Sequence, residues 1–206
     1  RCLQQLVSRE GAQSYQSKVM ENRLSFLDVL SVFRSCKVRI AALLEFLPRL
    51  LPRAYSLTSS PVADGGKVLS FAYSLTEIPD SDLIFKPRLG ICTGMFDRLA
   101  ELPEPDRILP LYLRNSKSFR LPDDPSKPVI LVGPGTGIAP LVGFLRHRRQ
   151  QVENLQHSPS QFGESWLFFG CRYSTYDELY KQELGECVDL GILSHLHKCF
   201  SREEDG

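Results

Sequence analysis

The stretch Val129-Ile-Leu-Val-Gly-Pro-Gly-Thr-Gly-Ile-Ala-Pro140 constrains this chain more than any other. Its four consecutive apolar residues predict a strand buried on both faces, as in a parallel sheet. They run into Gly133, Pro134, Gly135, Thr136 and Gly137, and then into an apolar stretch of helical character over 138–149. A strand, a glycine-rich turn and a helix start together make an anion site. Glycines let the backbone approach a phosphate, and the N–H groups of the first helical turn point at it. The spacing is G-x-G-x-G rather than G-x-G-x-x-G, and the lysine of a P-loop is missing. An ordinary strand-to-helix corner looks the same, so the surrounding residues decide.

Downstream the order is strand (129–132), helix (138–151), polar loop (153–164), strand (166–170), helix (176–184) and strand (192–200). Strands alternating with helices predict a parallel, doubly wound sheet, which binds ligands beyond the carboxyl ends of its strands. The glycine turn and Ser201-Arg202 both fall at such ends. The proline-rich segment 121–128 marks a boundary. Before it, 53–58, 67–77, 83–89 and 107–119 read as strands around a turn at 61–66, with a short helix over 95–102. Further upstream, Met20, Leu24, Leu27 and Leu30, and then Ile40, Leu43, Leu44 and Leu47, recur at helical spacing, with Pro48 as a stop. These stripes predict core.

Composition narrows the function. A length of 206 residues, 42% hydrophobic, suits one large domain or two small ones, and a net charge of +1 argues against a nucleic-acid surface. The basic cluster Arg146-His-Arg-Arg149 is read as a helix C-terminal cap. No apolar run reaches the roughly 18 residues of a membrane span. The chain opens on Arg1 with no initiator Met or signal peptide, which reads as an internal piece of something longer. Its six cysteines are scattered, with no C-x-x-C pair, as suits reduced thiols in a cytoplasmic enzyme. His195, His197 and Cys199 alternate on one strand face, but no fourth ligand is spaced nearby, so no metal site is expected.

Three further segments carry chemistry. In Arg53-Ala54-Tyr55-Ser56, the Arg and Tyr share one face of an extended segment. A guanidinium grips a pyrophosphate through paired hydrogen bonds, a tyrosine ring lies flat on a planar heterocycle, and Ser56 adds a hydroxyl beside it. Gly90-Ile91-Cys92-Thr93 precedes a helix and offers a second phosphate site, with Thr93 as the expected N-cap. Ser201-Arg202 sits where a doubly wound sheet reads a ribose, and an Arg there accommodates a 2′-phosphate, although Glu203 and Glu204 follow it directly. Two nucleotides meeting at a domain interface are the expectation.

Arg53-x-Tyr-Ser56, Gly90-Ile-Cys-Thr93, Gly133-Pro-Gly-Thr-Gly-Ile-Ala-Pro140, Phe169-Gly-Cys-Arg172 and Phe200-Ser-Arg202 occur in the order used by the NADPH–flavin reductases. The chain resembles the ferredoxin-reductase-like halves of these diflavin enzymes from about Leu3 to Arg202. Softer similarity, in Leu44-Glu-Phe-Leu-Pro48, Phe119-Arg-Leu-Pro-Asp-Asp-Pro-Ser126, Trp166-Leu-Phe-Phe-Gly-Cys-Arg172 and Gly191-Ile-Leu-Ser-His-Leu196, is to the branch serving cobalamin-dependent methionine synthase. The resemblance implies an antiparallel FAD-binding β-barrel with flanking helices, followed by a doubly wound parallel NADP-binding sheet. Residues 1–52 would be a helical remnant of a connecting domain, 53–125 the barrel, and 126–206 the NADP-binding domain, incomplete at its C-terminal end.

By the same resemblance Arg53, Ala54, Tyr55 and Ser56 contact FAD, with Ser56 beside the reactive flavin nitrogen as the catalytic residue. Gly90, Ile91, Cys92 and Thr93 wrap the FAD phosphates, while Gly135, Thr136, Cys171, Ser201 and Arg202 bind NADPH. In the family, NADPH gives a hydride to FAD, and electrons pass singly through FMN, on a domain absent here, to the cobalamin of methionine synthase. A haem or sulfite-reductase acceptor, and a non-catalytic form that only binds a partner, are the alternatives. The sequence stops before the family's Cys-Gly-Asp stretch and terminal aromatic, and has Met95-Phe96 where a Trp is common. A chain of this extent is expected to fall short of full turnover.

Overall fold

A computed structural model describes residues 2–63, 65–78, 88–154 and 158–203. The chain divides into two compact units, one of residues 1–53 and 75–109 and the other of residues 54–74 and 110–206. The fold is ferredoxin-reductase-like, with helices and an antiparallel sheet ahead of a parallel α/β sheet.

The first unit opens with short helices: α1 (Cys2–Leu6), α2 (Ala12–Tyr15) running on as a π turn (Gln16–Met20), α3 (Phe26–Val32) and α4 (Ile40–Phe46). The expected core stripes do not form one. Arg23 adopts a left-handed φ of 50°, which breaks the backbone between Met20 and α3. Met20, Leu24, Leu27 and Leu30 therefore never share a helix face, and Leu27 is 73% exposed. Helix α4 is only seven residues long and leaves Ile40, Leu44 and Leu47 exposed. Its end is as expected: Leu47 turns extended ahead of Pro48, whose ring clashes with a helical predecessor. Strand β1 (Glu77–Ile78) then pairs antiparallel with β2 (Arg88–Leu89), and α5 (Ile91–Glu101) follows. The earlier part of the strand expected over 83–89 lies outside the described residues. Arg88 fastens β2 to α3: its guanidinium reaches Asp28 at 2.5 Å, the carboxylate that closes the Ser25 capping box of that helix.

In the second unit the segment expected as strand over 53–58 contributes one antiparallel bridge, Leu57 to Phe71, beyond the turn where Gly65 and Gly66 take positive φ. The strand expected over 107–119 is absent. Ile108, Leu111, Tyr112 and Leu113 are exposed along an irregular segment, where Pro110 lacks the N–H a ladder needs.

Beyond 128 the alternation is as expected. Strand β3 (Val129–Pro134) leads through a 3₁₀ turn (Gly135–Ile138) into α6 (Ala139–Glu153), and β4 (Ser165–Cys171), α7 (Lys181–Asp189) and β5 (His195–Phe200) complete the unit. Helix α7 starts later than expected because Tyr180 has φ 58°, outside any right-handed helix. The three strands are parallel in the order β3-β4-β5, pairing Val129 with Ser165 and Trp166 with His195.

Both crossovers step the same way across this sheet, and right-handed connections then put both helices on one face. Leu131, Leu167 and Phe169 from the strands meet Leu141, Val142 and Leu145 of α6 and Leu184 and Cys187 of α7 in a single buried cluster. The other face is open. Ile130 is 73% and Val132 69% exposed, which corrects the expectation of a strand buried on both sides. Trp166, Phe168, His195 and His197 share that open face, with the indole stacked on the His195 imidazole at 3.8 Å between ring centres. Among the described residues no group of three His, Cys, Asp or Glu side chains could hold a metal ion, and no helix is long and apolar enough to cross a membrane.

Candidate functional site

The glycine turn is built from two kinds of glycine. At Gly133 a Cβ would lie 2.8 Å from Leu141 Cδ1 and 3.0 Å from both Gly137 O and Ile138 Cα, so its absence lets the strand end press against the helix start. At Gly135 φ is +52° and nothing lies within 4 Å of where a Cβ would be. The first glycine serves packing; the second leaves open space over a left-handed backbone, the room a phosphate needs for close approach. Thr136 is exposed in the same turn, its carbonyl accepting from Ala139 N at the start of α6, where Pro140 brings no N–H.

Cys171, the last residue of β4, and Ser201 and Arg202, just past β5, gather at the ends of the other two strands. Ser201 N donates to Cys171 O (2.9 Å) and Arg202 N to Arg172 O (3.1 Å), extending the β4–β5 ladder past both strands. The Arg202 side chain is exposed and has no ion pair among the described residues. Its neighbour Arg172 is committed, with two hydrogen bonds to Asp177 at 2.9 and 3.0 Å. Burial, then the charges of Asp177, Glu178 and Glu203, push the Cys171 thiol up, and as a neutral thiol it donates to Tyr173 O. Strands β3 and β5 are two positions apart, so the glycine turn and Arg202 stand roughly 10 Å from each other along one sheet edge. That span suits the pyrophosphate and ribose ends of a dinucleotide, and these residues fit NADPH.

The candidate FAD residues are distributed over both units. In the first, Arg53 is exposed and donates to Leu51 O at 2.7 Å, leaving most of its fork available. Gly90 is itself the N-cap of α5, with φ −56° and ψ 143°, and no side chain caps the helix. Thr93, expected as the cap, is buried in the first turn, where its Oγ1 accepts from Thr76 N at 3.2 Å. A Cβ on Gly90 would sit 2.8 Å from that same Oγ1 and 2.9 Å from Thr76 Cβ, so glycine is required for the tight entry. The uncapped amides of Ile91, Cys92 and Thr93 form the anion-facing end of an eleven-residue helix, which fits a phosphate.

In the second unit Tyr55 is half-buried, its ring 5.2 Å from that of Phe71, while Ala54 and Ser56 are exposed beside it. This segment continues into Leu57–Ser60, which docks on α6. Arg146 Nη1 donates to Thr58 O at 3.0 Å, and Ser60 Oγ lies 3.4 Å from His147 Nδ1. Gly143 admits the backbone, since a Cβ there would meet Leu57 O at 3.1 Å. The basic cluster 146–149 is thus a docking element inside α6, not its C-terminal cap, because the helix runs on to Glu153. Arg146 also pairs with Glu183 at 2.6 and 2.9 Å, and Arg149 with Glu153 and Glu186. Arg148 is buried over the Phe162 ring at 5.0 Å. Composition showed the cluster; only the acids 37 residues on, on a second helix, reveal its use.

The chain matches an FAD binding domain model over residues 1–94 and an oxidoreductase NAD-binding domain model over residues 131–205. It is 42% identical over 98% of its length to methionine synthase reductase of Homo sapiens, and 41% identical over 98% to that of Mus musculus. It is also 36% identical, over 92% of its length, to the bifunctional cytochrome P450/NADPH–P450 reductase of Bacillus cereus. The chain spans about a third of the methionine synthase reductases it matches, 31%, and 17% of the Bacillus protein. The chain thus carries an FAD binding domain followed by an oxidoreductase NAD-binding domain, and over nearly its whole length it is similar to the methionine synthase reductases.

Proposed function

We propose that this chain is the FAD/NADPH module of a reductase that restores cobalamin-dependent methionine synthase, within methionine and homocysteine metabolism. The observation that carries the reading is the strand-end pairing of an open, positive-φ Gly135 turn with the exposed Arg202. The names of the two mammalian relatives support the choice of acceptor. Residues 1–52 would belong to a connecting domain, 53–125 to the FAD-binding barrel and 126–206 to the NADP-binding domain. An FMN domain elsewhere in the full-length protein would carry electrons onward, and reduced thiols suit a cytoplasmic setting.

FAD bound here supplies the two-electron acceptance and one-electron release that no side chain provides. The chain's own residues bind and orient. Arg53 holds the pyrophosphate, and Ala54 leaves the backbone accessible. Tyr55 stacks on the ring system, and Ser56 Oγ donates a hydrogen bond at its reactive nitrogen. Gly90 shapes the tight entry, its own amide held by Thr76 O, and the amides of Ile91, Cys92 and Thr93 face the phosphates. For NADPH, Gly135 and Thr136 cradle the pyrophosphate, the neutral Cys171 thiol lines the site, and Ser201 and Arg202 take the 2′-phosphate.

In the flavin-loaded full-length protein, Arg202→Ala should raise KM for NADPH far more than for NADH, and Tyr55→Ala should release FAD. Equal losses for both nucleotides, or a Tyr55→Ala protein that purifies fully yellow, would contradict these roles. Similarity to a P450 reductase favours a haem acceptor as the second reading. Reduction of purified cytochrome, with no reactivation of methionine synthase, would establish it.

A further inference from the structure

Arg202 is followed by an acid, and a carboxylate beside a 2′-phosphate repels it. The structure shows where that acid goes. Glu203 Oε1 accepts from Ser174 N at 2.6 Å and from Ser174 Oγ at 2.9 Å. Ser174 belongs to the loop after β4, and that loop is itself braced by the Arg172–Asp177 pair and by the Tyr173 and Tyr176 rings at 4.8 Å. The backbone bonds from Ser201 and Arg202 to Cys171 and Arg172 bring the two loops together just before Glu203. Of the charges at this sheet edge, Arg172 is paired with Asp177 and Glu203 is held by Ser174. Arg202 alone among these three is left without a side-chain partner among the described residues.

We infer that Ser174 is a positioning residue for nucleotide selection: it holds the Glu203 carboxylate on the β4 loop, away from the phosphate that Arg202 receives. The site then discriminates by the sign of the charge it leaves open, and the tether removes a repulsive element that would otherwise oppose the phosphorylated dinucleotide. This rests on the proposed 2′-phosphate role of Arg202. A serine supplies both donors. Threonine can replace it, whereas alanine keeps only the backbone N–H.

The test is calorimetric binding of 2′,5′-ADP and of 5′-AMP to the flavin-loaded full-length protein, which needs no turnover. Ser174→Ala should weaken 2′,5′-ADP about fivefold to tenfold, the scale of one ordinary lost hydrogen bond, and leave 5′-AMP within about twofold. Ser174→Thr should bind like the parent. Adding Glu203→Gln to Ser174→Ala should restore 2′,5′-ADP affinity, because the repelling charge is gone; a merely structural serine would not be rescued in this way. Parent-like 2′,5′-ADP binding by Ser174→Ala, or equal weakening of both ligands, would overturn the inference. Arg202→Ala is run alongside. If it binds 2′,5′-ADP like the parent, the phosphate assignment itself fails; if it loses that ligand while Ser174→Ala does not, only the tether fails.

Discussion

Two glycines two positions apart should respond in opposite ways to the same added methyl group. At Gly133 the new Cβ meets Leu141 Cδ1 at 2.8 Å and the backbone of residues 137 and 138 at 3.0 Å. The leucine can rotate away but the backbone cannot, so Gly133→Ala should cost about 1–3 kcal/mol as an overpacked core does. For a chain of this size that lowers the melting temperature by about 3–10 °C. At Gly135 the methyl meets nothing, and the cost is only the left-handed backbone at φ +52°, about 1 kcal/mol and a few degrees. That methyl, however, projects into the space assigned to the NADPH pyrophosphate. Gly135→Ala should therefore melt close to the parent yet bind NADP⁺ at least about tenfold more weakly, the equivalent of roughly 1.4 kcal/mol. Thermal melting followed by far-ultraviolet circular dichroism, paired with calorimetric NADP⁺ titration, separates the two effects. A Gly135→Ala protein with parent-like NADP⁺ affinity would refute the assignment of the turn. A Gly133→Ala protein with parent-like melting would refute the packing argument.

Three other outcomes are expected. Arg146→Met removes the hydrogen bonds to Glu183 and Thr58 O while keeping the apolar stem, and should destabilise by about 1–2 kcal/mol in urea titration; no change in the midpoint would show that the dock is ornamental. Burial holds the His147 imidazole below its ordinary value of 6.5, so the unfolded chain binds the extra proton first as pH falls. Stability should accordingly drop as pH is lowered through about 6.5, and His147→Gln should flatten that part of the profile. Burial, followed by the charge of Glu183, pushes the Cys187 thiol up to about 11. In the native protein at neutral pH a disulfide reagent should modify the exposed Cys2 and Cys199 and spare Cys187, which reacts only on unfolding.

The parallel half was legible in the sequence because its signals are local. An apolar run, a glycine turn and an amphipathic stretch follow one another at 129–151, and the observed ends of β3 and α6 lie within two residues of the expected ones. What escaped depends on neighbours remote in sequence. Ile130 and Val132 read as doubly buried, but the handedness of two same-direction crossovers decides which sheet face is covered, and a strand does not encode that alone. Arg146–Arg149 resembled a cap because their acidic partners, Glu183 and Glu186, lie on another helix. Thr93 looked like the N-cap by residue type, yet the extended backbone of Gly90 starts the helix three residues earlier. The apolar spacing from Met20 to Leu30 was real in sequence but is broken in space by one left-handed residue, Arg23. Among the site residues, the Ser174–Glu203 contact joins loops 29 positions apart, and the sequence showed only an acid in an awkward place.

The most direct measurement is the visible absorbance spectrum of the purified chain, supplied with FAD and recorded before and after anaerobic addition of NADPH. A flavin band that is retained through gel filtration and bleaches on NADPH addition is the expected result, since both nucleotide sites must then be formed and within reacting distance. A chain that stays colourless after incubation with FAD would contradict the assignment of Arg53, Tyr55 and Gly90–Thr93, and with it the reading of this chain as a flavin-reducing module.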